Sequence, residues 1–262
     1  MRLGILIPAY NAESTLPCVV ARIPHALLAD GLVIRVINDG SRDRTGEVAR
    51  SLSVANLQVL DLPQNRGYGA AVKRGLQALR EAGVQAAACV HADGQYAPEE
   101  LPGLFAALAM GGLDLLQGSR IASGTALSGG MPRYKYLAGL ALTALENRTI
   151  AAGLTDYHSG YLIYGPRALA SIPFARLSDG FDFDLEVIAC ARARGLAIGE
   201  RPIPTHYGQE MSHLNPLGYG LRVLRVVLRY LGGHYHRLRL SSSIGSVDEA
   251  AVGRGDKLGP VG

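Results

Sequence analysis

The sequence predicts an α/β fold, a mostly parallel sheet sandwiched by helices. Short apolar runs alternate with amphipathic stretches over the first 120 residues, the signature of parallel strands joined by crossover helices. Each apolar run ends in polar turn chemistry, at Asn11, Asp39, Asn65, Asp93 and Arg120. In an open sheet of this kind, the carboxyl edge of the strands is where ligands bind. The chain has 262 residues, 48% of them hydrophobic and 18% charged, enough to bury a sizeable core.

Leu3 to Ile7 is an apolar run stopped by Pro8 and reads as a strand covered on both faces. Ser14 can cap a helix carrying Leu16, Val19, Val20 and Ile23, with Pro17 tolerated in its first turn. Val33 to Ile37 is the second strand, and Asp43 or Thr45 caps the helix that follows. Leu57 to Leu60 is the third, followed by Asn65-Arg66-Gly67-Tyr68-Gly69 and a helix through Val72, Leu76 and Leu79. That glycine turn lacks the GxGxxG of a dinucleotide site, and its small residues suit a helix packed close to the sheet. Ala86 to Val90 is the fourth strand, a helix from Pro98 follows, and Asp114 to Gln117 is the fifth.

The second half is less regular. Ser123 to Gly130 reads as a mobile Gly/Ser-rich loop, and Tyr136 to Leu154 as an apolar helix interrupted by Glu146-Asn147-Arg148. Asp156 to Tyr164 reads as a strand with a polar lead, Phe181 to Glu186 as a helix opening, and Ile198 to Ile203 as the last strand. Pro204 to Pro216 is a polar loop, and Gly218 to Leu231 is helical. The expected division is a sheet domain over 1–215, a basic amphipathic helix in 216–240 and a disordered tail over 241–262.

Cys18, Cys89 and Cys190 lie far apart, so neither a zinc site nor a disulfide framework is indicated, and a reducing cytoplasm is the expected compartment. The first residues read as entering a strand at once, so no signal peptide is expected. No uncharged apolar run reaches the roughly 18 residues of a membrane span. The net charge of +4 is mild, and no nucleic-acid partner is expected. The helix from Gly218 carries Arg222, Arg225 and Arg229 at helical spacing. Such a helix either lies on an anionic membrane surface or covers the core with a solvated face.

His91-Ala92-Asp93-Gly94-Gln95 is where chemistry is expected. An Asp-Gly pair is commonly a turn, but read as an extended segment, His91, Asp93 and Gln95 alternate onto one side. Carboxylate, imidazole and amide oxygen could then hold Mg²⁺ or, with the imidazole, Mn²⁺. The other reading is a hydrogen-bonded turn with a structural histidine. Asp39 either closes an Asx-turn or accepts from a nucleobase ring N–H, and Tyr10 either stacks on a base or covers the sheet edge.

Ile7-Pro8-Ala9-Tyr10-Asn11, Ile37-Asn38-Asp39-Gly40-Ser41, Asn65-Arg66-Gly67, His91-Ala92-Asp93-Gly94-Gln95 and Gly118-Ser119-Arg120 occur in this order. In that order they resemble the motifs of family 2 glycosyltransferases, in the dolichyl- or polyprenyl-phosphate mannosyltransferase-like branch, across residues 1–215. The resemblance implies a GT-A fold, a nucleotide-sugar donor of the GDP-mannose or UDP-glucose type, a divalent cation and an inverting transfer. It implies that Pro8, Tyr10, Asn11, Ile37, Asp39, Ala92 and Asp93 hold the nucleotide. Asp93 and Gln95 would hold metal and diphosphate, and Asp93 with Arg120 would carry the catalysis. Some positions depart from the family pattern: His91 stands where a first Asp is usual, Ala12 follows Tyr-Asn, and Leu162 replaces an Arg. His206 and His213 stand where Arg and Lys are usual.

A departing nucleoside diphosphate leaves charge that a cation and Arg120 would stabilise. A polyprenyl-phosphate acceptor is already anionic and needs mainly orientation, with Arg133, Lys135, His206 and His213 as candidate contacts at a peripheral membrane site. A hydroxyl acceptor on a soluble substrate would need a base, for which Asp182, Asp184 and Glu186 are candidates, although acids in a helix's first turn also serve its dipole. A third alternative, opened by the three histidines, is a nucleotide-sugar binding protein with weak catalysis.

Overall fold

The computed structural model describes residues 1–204 and 216–240; the expected contacts His206 and His213, most of the polar loop and the tail lie outside them. The strands are β1 (Leu3–Ala9), β2 (Val33–Asn38), β3 (Leu57–Asp61), β4 (Ala86–Cys89), β5 (Leu115–Ser119), β6 (Leu162–Tyr164) and β7 (Ile198–Pro202). The helices are α1 (Leu16–Ala21), α2 (His25–Ala29), α3 (Thr45–Ser51), α4 (Tyr68–Glu81), α5 (Leu101–Met110), α6 (Arg133–Thr149), α7 (Pro166–Ser171), α8 (Phe183–Ala193), α9 (Pro216–Leu231) and α10 (His234–Arg237).

The seven strands form one sheet in the order β3-β2-β1-β4-β6-β5-β7. Only β6 runs against its neighbours. Alternation along β1 explains the two-sided core: Ile5 and Ile7 point into a layer built with α1, α3 and α5, while Leu6 points into one built with α4 and α8. Each of these fully buried side chains contributes about 1.5–3 kcal/mol relative to exposure. The sheet is mostly parallel with helices on both faces, as the alternating pattern predicted.

Several local expectations are corrected. No Ser14 cap forms; Thr15 precedes α1, and Pro24 separates it from α2. Neither Asp43 nor Thr45 is the N-cap of α3, which is Arg44, although Asp43 Oδ1 accepts from the Thr45 N–H at 3.0 Å. The polar trio 146–148 does not interrupt α6, which runs to Thr149. Segment 123–130 is a loop, as expected, built of turns in which the Ser123 and Ser128 hydroxyls donate to the Arg120 and Thr125 carbonyls. Gly67 and Gly69 do not bring α4 to the sheet. A Cβ at Gly69 would run into the Ser178 carbonyl, whereas Gly75 is the residue whose Cβ would meet Leu6 and Ile37.

The reversal of β6 places the site. The carboxyl ends of β1 to β5 share one edge, and β6, running the other way, brings its leading residues 156–161 to that edge. The backbone confirms it: the Gly118 N–H donates to the Tyr161 carbonyl at 2.9 Å.

Candidate active site

The loops at this edge are laced together. The Asn11 side-chain oxygen accepts from the Arg42 N–H at 2.9 Å, and Asn11 itself sits at φ 50. Asp39 is buried, and its two carboxylate oxygens accept from the N–H groups of Arg66 and Gly67 at 2.8 and 2.9 Å. It therefore shapes the Asn65–Gly67 turn, and a nucleobase would have to share it. Tyr10 is 41% exposed and available to stack; Ile37 is fully buried beneath α4 and can offer a ligand only backbone. Pro8 is half-buried and Ala92 buried on the same edge.

The expected row of His91, Asp93 and Gln95 does not form. The chain turns at 92–94, with Gly94 at φ 74, and the Asp93 Oδ1 accepts from the Gln95 N–H at 3.0 Å. A turn breaks the two-residue alternation, so the three side chains do not share one side. His91 instead points under the loop before β6. Its Nε2 lies 3.2 Å from the Gly160 carbonyl and 3.2 Å from the Tyr68 hydroxyl, and its ring meets Tyr96 edge-on at 4.9 Å. A carbonyl only accepts, so Nε2 carries the hydrogen and Nδ1 is the lone-pair nitrogen of the neutral ring. Burial pushes the imidazole pKa down, against opposing contributions from Asp93 and Gly160.

Among the described residues no group of three or more His, Cys, Asp and Glu side chains could hold a metal ion. Of the expected donors, the Asp93 carboxylate is the one that suits a cation whose coordination a bound diphosphate completes. Mg²⁺ is commonly held this way, by one or two carboxylates plus substrate phosphates.

Arg120 leaves β5 and meets Asp156 bidentately, Nε to Oδ2 at 2.8 Å and Nη2 to Oδ1 at 3.1 Å. Both side chains are nearly buried. Burial alone would raise the Asp156 pKa, but the Arg120 charge and hydrogen bonds outweigh it and hold the carboxyl below its ordinary value. Asp156 was not among the expected site residues.

The three carboxylates around the start of α8 separate clearly. Asp182 pairs with Arg222 at 3.2 Å, and Glu186 with Arg229 at 3.1 Å and the Tyr235 hydroxyl at 2.8 Å. Asp184 is buried without an ion pair among the described residues, and its Oδ1 has no hydrogen-bond partner. Burial pushes its carboxyl up to about 7, with the Tyr68 hydroxyl pulling the other way. Phe181, 51% exposed, stacks on Tyr68 at 5.8 Å.

The arginines of α9 are turned differently from the simple amphipathic reading. Arg222 and Arg229 reach back to α8, and Val223, Val226 and Val227 are buried. Leu221, Leu224, Leu228 and Leu231 face outward. The neighbouring α6 adds exposed Tyr134, Leu137 and Leu140, with Arg133 and Lys135 in its first turn. No helix among the described residues is long and apolar enough to cross a membrane.

This sheet order and this edge define a GT-A-like glycosyltransferase fold. Residues 4–172 match the model of glycosyl transferase family 2, and the chain belongs to that family. It is 32% identical over 203 residues to polyprenol monophosphomannose synthase of Mycolicibacterium smegmatis, covering 76% of this chain and 75% of that protein. Undecaprenyl-phosphate mannosyltransferase of Micrococcus luteus is 29% identical over 206 residues, covering 78% of this chain and 83% of that protein. The fold matches the solved structure of glucosyl-3-phosphoglycerate synthase from Mycobacterium tuberculosis in complex with Mn²⁺, UDP-glucose and phosphoglyceric acid. That match has a TM-score of 0.65 at 20% identity, covering 88% of this chain and 80% of the other.

Proposed function

We propose that this glycosyltransferase moves a hexose, with inversion, from a GDP-mannose or UDP-glucose type donor to a polyprenyl phosphate at a membrane surface. The observation that carries this reading is the outward leucine face of α9 beside the exposed Tyr134 and Leu137 of α6, next to Arg133 and Lys135. Apolar side chains in that number, rimmed by cations and an aromatic, suit the boundary between acyl chains and anionic headgroups. The names of the mycobacterial and micrococcal relatives, which act on polyprenol and undecaprenyl phosphates, support it.

In this reading Pro8, Tyr10, Asn11, Asp39 and Ala92 line the nucleoside site, with Ile37 contributing only main chain. Asp93 holds a divalent cation and, through it, the diphosphate. Bound there, Mg²⁺ or Mn²⁺ supplies charge neutralisation for the leaving diphosphate. Arg120 adds a fixed positive charge aimed by Asp156. A phosphate oxygen of the acceptor attacks the anomeric carbon as its bond to the donor β-phosphate breaks, and the nucleoside diphosphate leaves. Attack opposite the leaving group inverts the centre. The anionic acceptor needs no base, only orientation, for which Arg133 and Lys135 are the described candidates.

Asp184 favours a second reading, transfer to a hydroxyl, because it alone of the three acids has no ion pair among the described residues. A panel of nucleotide sugars, each tested with polyprenyl phosphate and with soluble hydroxyl acceptors in Mg²⁺, Mn²⁺ or EDTA, decides. Nucleoside diphosphate release with a prenyl-phosphate sugar product is expected. Turnover only with hydroxyl acceptors selects the second reading, and no donor binding or turnover refutes both.

A further inference from the structure

Helix α6 is held by an unusual contact. Of its 17 residues only Thr143 and Glu146 are buried, and Glu146 is fully so. A desolvated carboxylate is costly without a partner. Its partner is His158, whose Nε2 approaches Glu146 Oε2 at 3.2 Å. The two atoms lie in contact without forming a hydrogen bond. The other ring nitrogen of His158, Nδ1, lies 2.9 Å from the hydroxyl of Tyr219 on α9, and the two rings meet edge-on at 5.5 Å. One imidazole thus touches both helices that carry the exposed leucines.

The backbone of the same residue touches the site. The His158 N–H donates to Asp156 Oδ1 at 2.9 Å, and that carboxylate grips Arg120 through two contacts. The segment is further stitched to β5, with Gln117 donating to the Asp156 carbonyl and Ser159 to the Gly118 carbonyl. A shift of α6 or α9 that moves the His158 ring therefore moves the peptide that orients Asp156.

We infer that His158 is a positioning residue that couples the leucine-bearing helices α6 and α9 to Arg120 through Asp156. Seating of the two helices on lipid fixes the imidazole, and the imidazole's own peptide fixes the Asp156 clamp. The inference rests on the lipid-facing reading of these helices given above. It makes the transfer step, rather than donor binding alone, respond to the membrane.

The test uses the full chain and two acceptors, a long polyprenyl phosphate in phosphatidylglycerol-containing vesicles and a short water-soluble prenyl phosphate. Wild type should turn over faster on vesicles. His158→Phe, which keeps an aromatic ring and removes both nitrogens, should sediment with vesicles like wild type and leave the donor KM within about twofold. Its kcat on vesicles should fall roughly tenfold or more, as expected for a small misplacement of a catalytic group, erasing the vesicle stimulation. Tyr219→Phe, the milder change, removes one hydroxyl and should reduce the stimulation in the same direction, so the inference stays testable if His158→Phe does not fold. Wild-type stimulation persisting in either folded variant overturns the coupling alone. A wild-type chain that neither binds vesicles nor uses prenyl phosphate overturns the lipid reading and this inference with it.

Discussion

The guanidinium of Arg120 and the carboxylate of Asp156 form a two-point pair at 2.8 and 3.1 Å, almost shut off from solvent. Planar, bidentate pairing fixes the orientation of an arginine as well as its place. Removing one partner of a buried pair leaves the other charge uncompensated, at a cost of about 3–5 kcal/mol. Asp156→Ala is expected to lower unfolding free energy by that order in urea titration. Arg120→Lys should keep the fold but cut kcat by roughly 10²-fold, the usual effect of losing one aimed donor at a developing charge. Near-wild-type kcat for Arg120→Lys would remove Arg120 from the transition state.

That pair also marks where sequence reasoning reached its limit. Polar residues after each strand were legible because strand ends and turns are local, and Arg120 was found that way. Asp156 lies 36 residues further on, and only the antiparallel run of β6 brings it back to the edge. Nothing in its neighbours' periodicity encodes that direction. Glu146 within α6 was read as an interruption because a charge in an apolar helix breaks the pattern; the structure makes it the inward anchor. The spacing of the α9 arginines shows that they share a face but not that Arg222 and Arg229 reach back to Asp182 and Glu186.

Asp93 is the one acid of the 91–95 turn, and its Oδ1 is already engaged by the Gln95 N–H. Asp93→Asn preserves the capacity to accept that bond while removing the charge a cation needs. Transfer should fall by at least roughly 10²-fold, with metal-dependent donor binding, followed by calorimetry at rising Mn²⁺, weakened in parallel. Equal Mn²⁺ dependence in mutant and wild type would move the cation elsewhere.

The buried Asp184 gives stability a pH dependence of definite sign. Its carboxyl is raised from 3.8 to about 7 in the folded chain. Between those values the folded state binds more protons than the unfolded one, so unfolding free energy falls as pH rises. The contribution is complete below about pH 4 and is lost as pH passes 7, with an upper bound of about 4 kcal/mol for a shift of this size. Denaturant titrations at pH 5 and pH 8 should show the wild type weaker at pH 8. Asp184→Asn should flatten that difference; an unchanged slope would assign it to another group.

The leucine face of α9 separates lipid docking from simple surface charge. Arg222→Glu would set two carboxylates against each other at Asp182, so loss of function there would report on folding. Leu221 and Leu228 are 66% and 68% exposed, and replacing them with glutamate disturbs no described contact. Each buried leucine contributes about 2 kcal/mol to partitioning. Leu221→Glu/Leu228→Glu should therefore lower vesicle affinity by roughly 10³-fold with thermal stability unchanged. Undiminished sedimentation would leave this face without a lipid role.

Gly160 holds His91 in place, and its geometry predicts how the turn can be broken. The residue sits at φ 73, and a Cβ there would lie 2.8 Å from His91 Cε1 and 3.2 Å from Asp184 Oδ2. Gly160→Ala combines a left-handed backbone cost of about 1–2 kcal/mol with a clash that drives the imidazole from the Gly160 carbonyl. His91→Asp tests the same contact without the clash, since it places a carboxylate where the carbonyl meets an N–H donor. An unsatisfied buried acceptor costs about 1–3 kcal/mol. Both variants should lose stability in thermal or urea unfolding, Gly160→Ala the more. His91→Gln can still offer an N–H and should lose less than His91→Asp. If His91→Asp is as stable as wild type, the histidine is not held by that carbonyl.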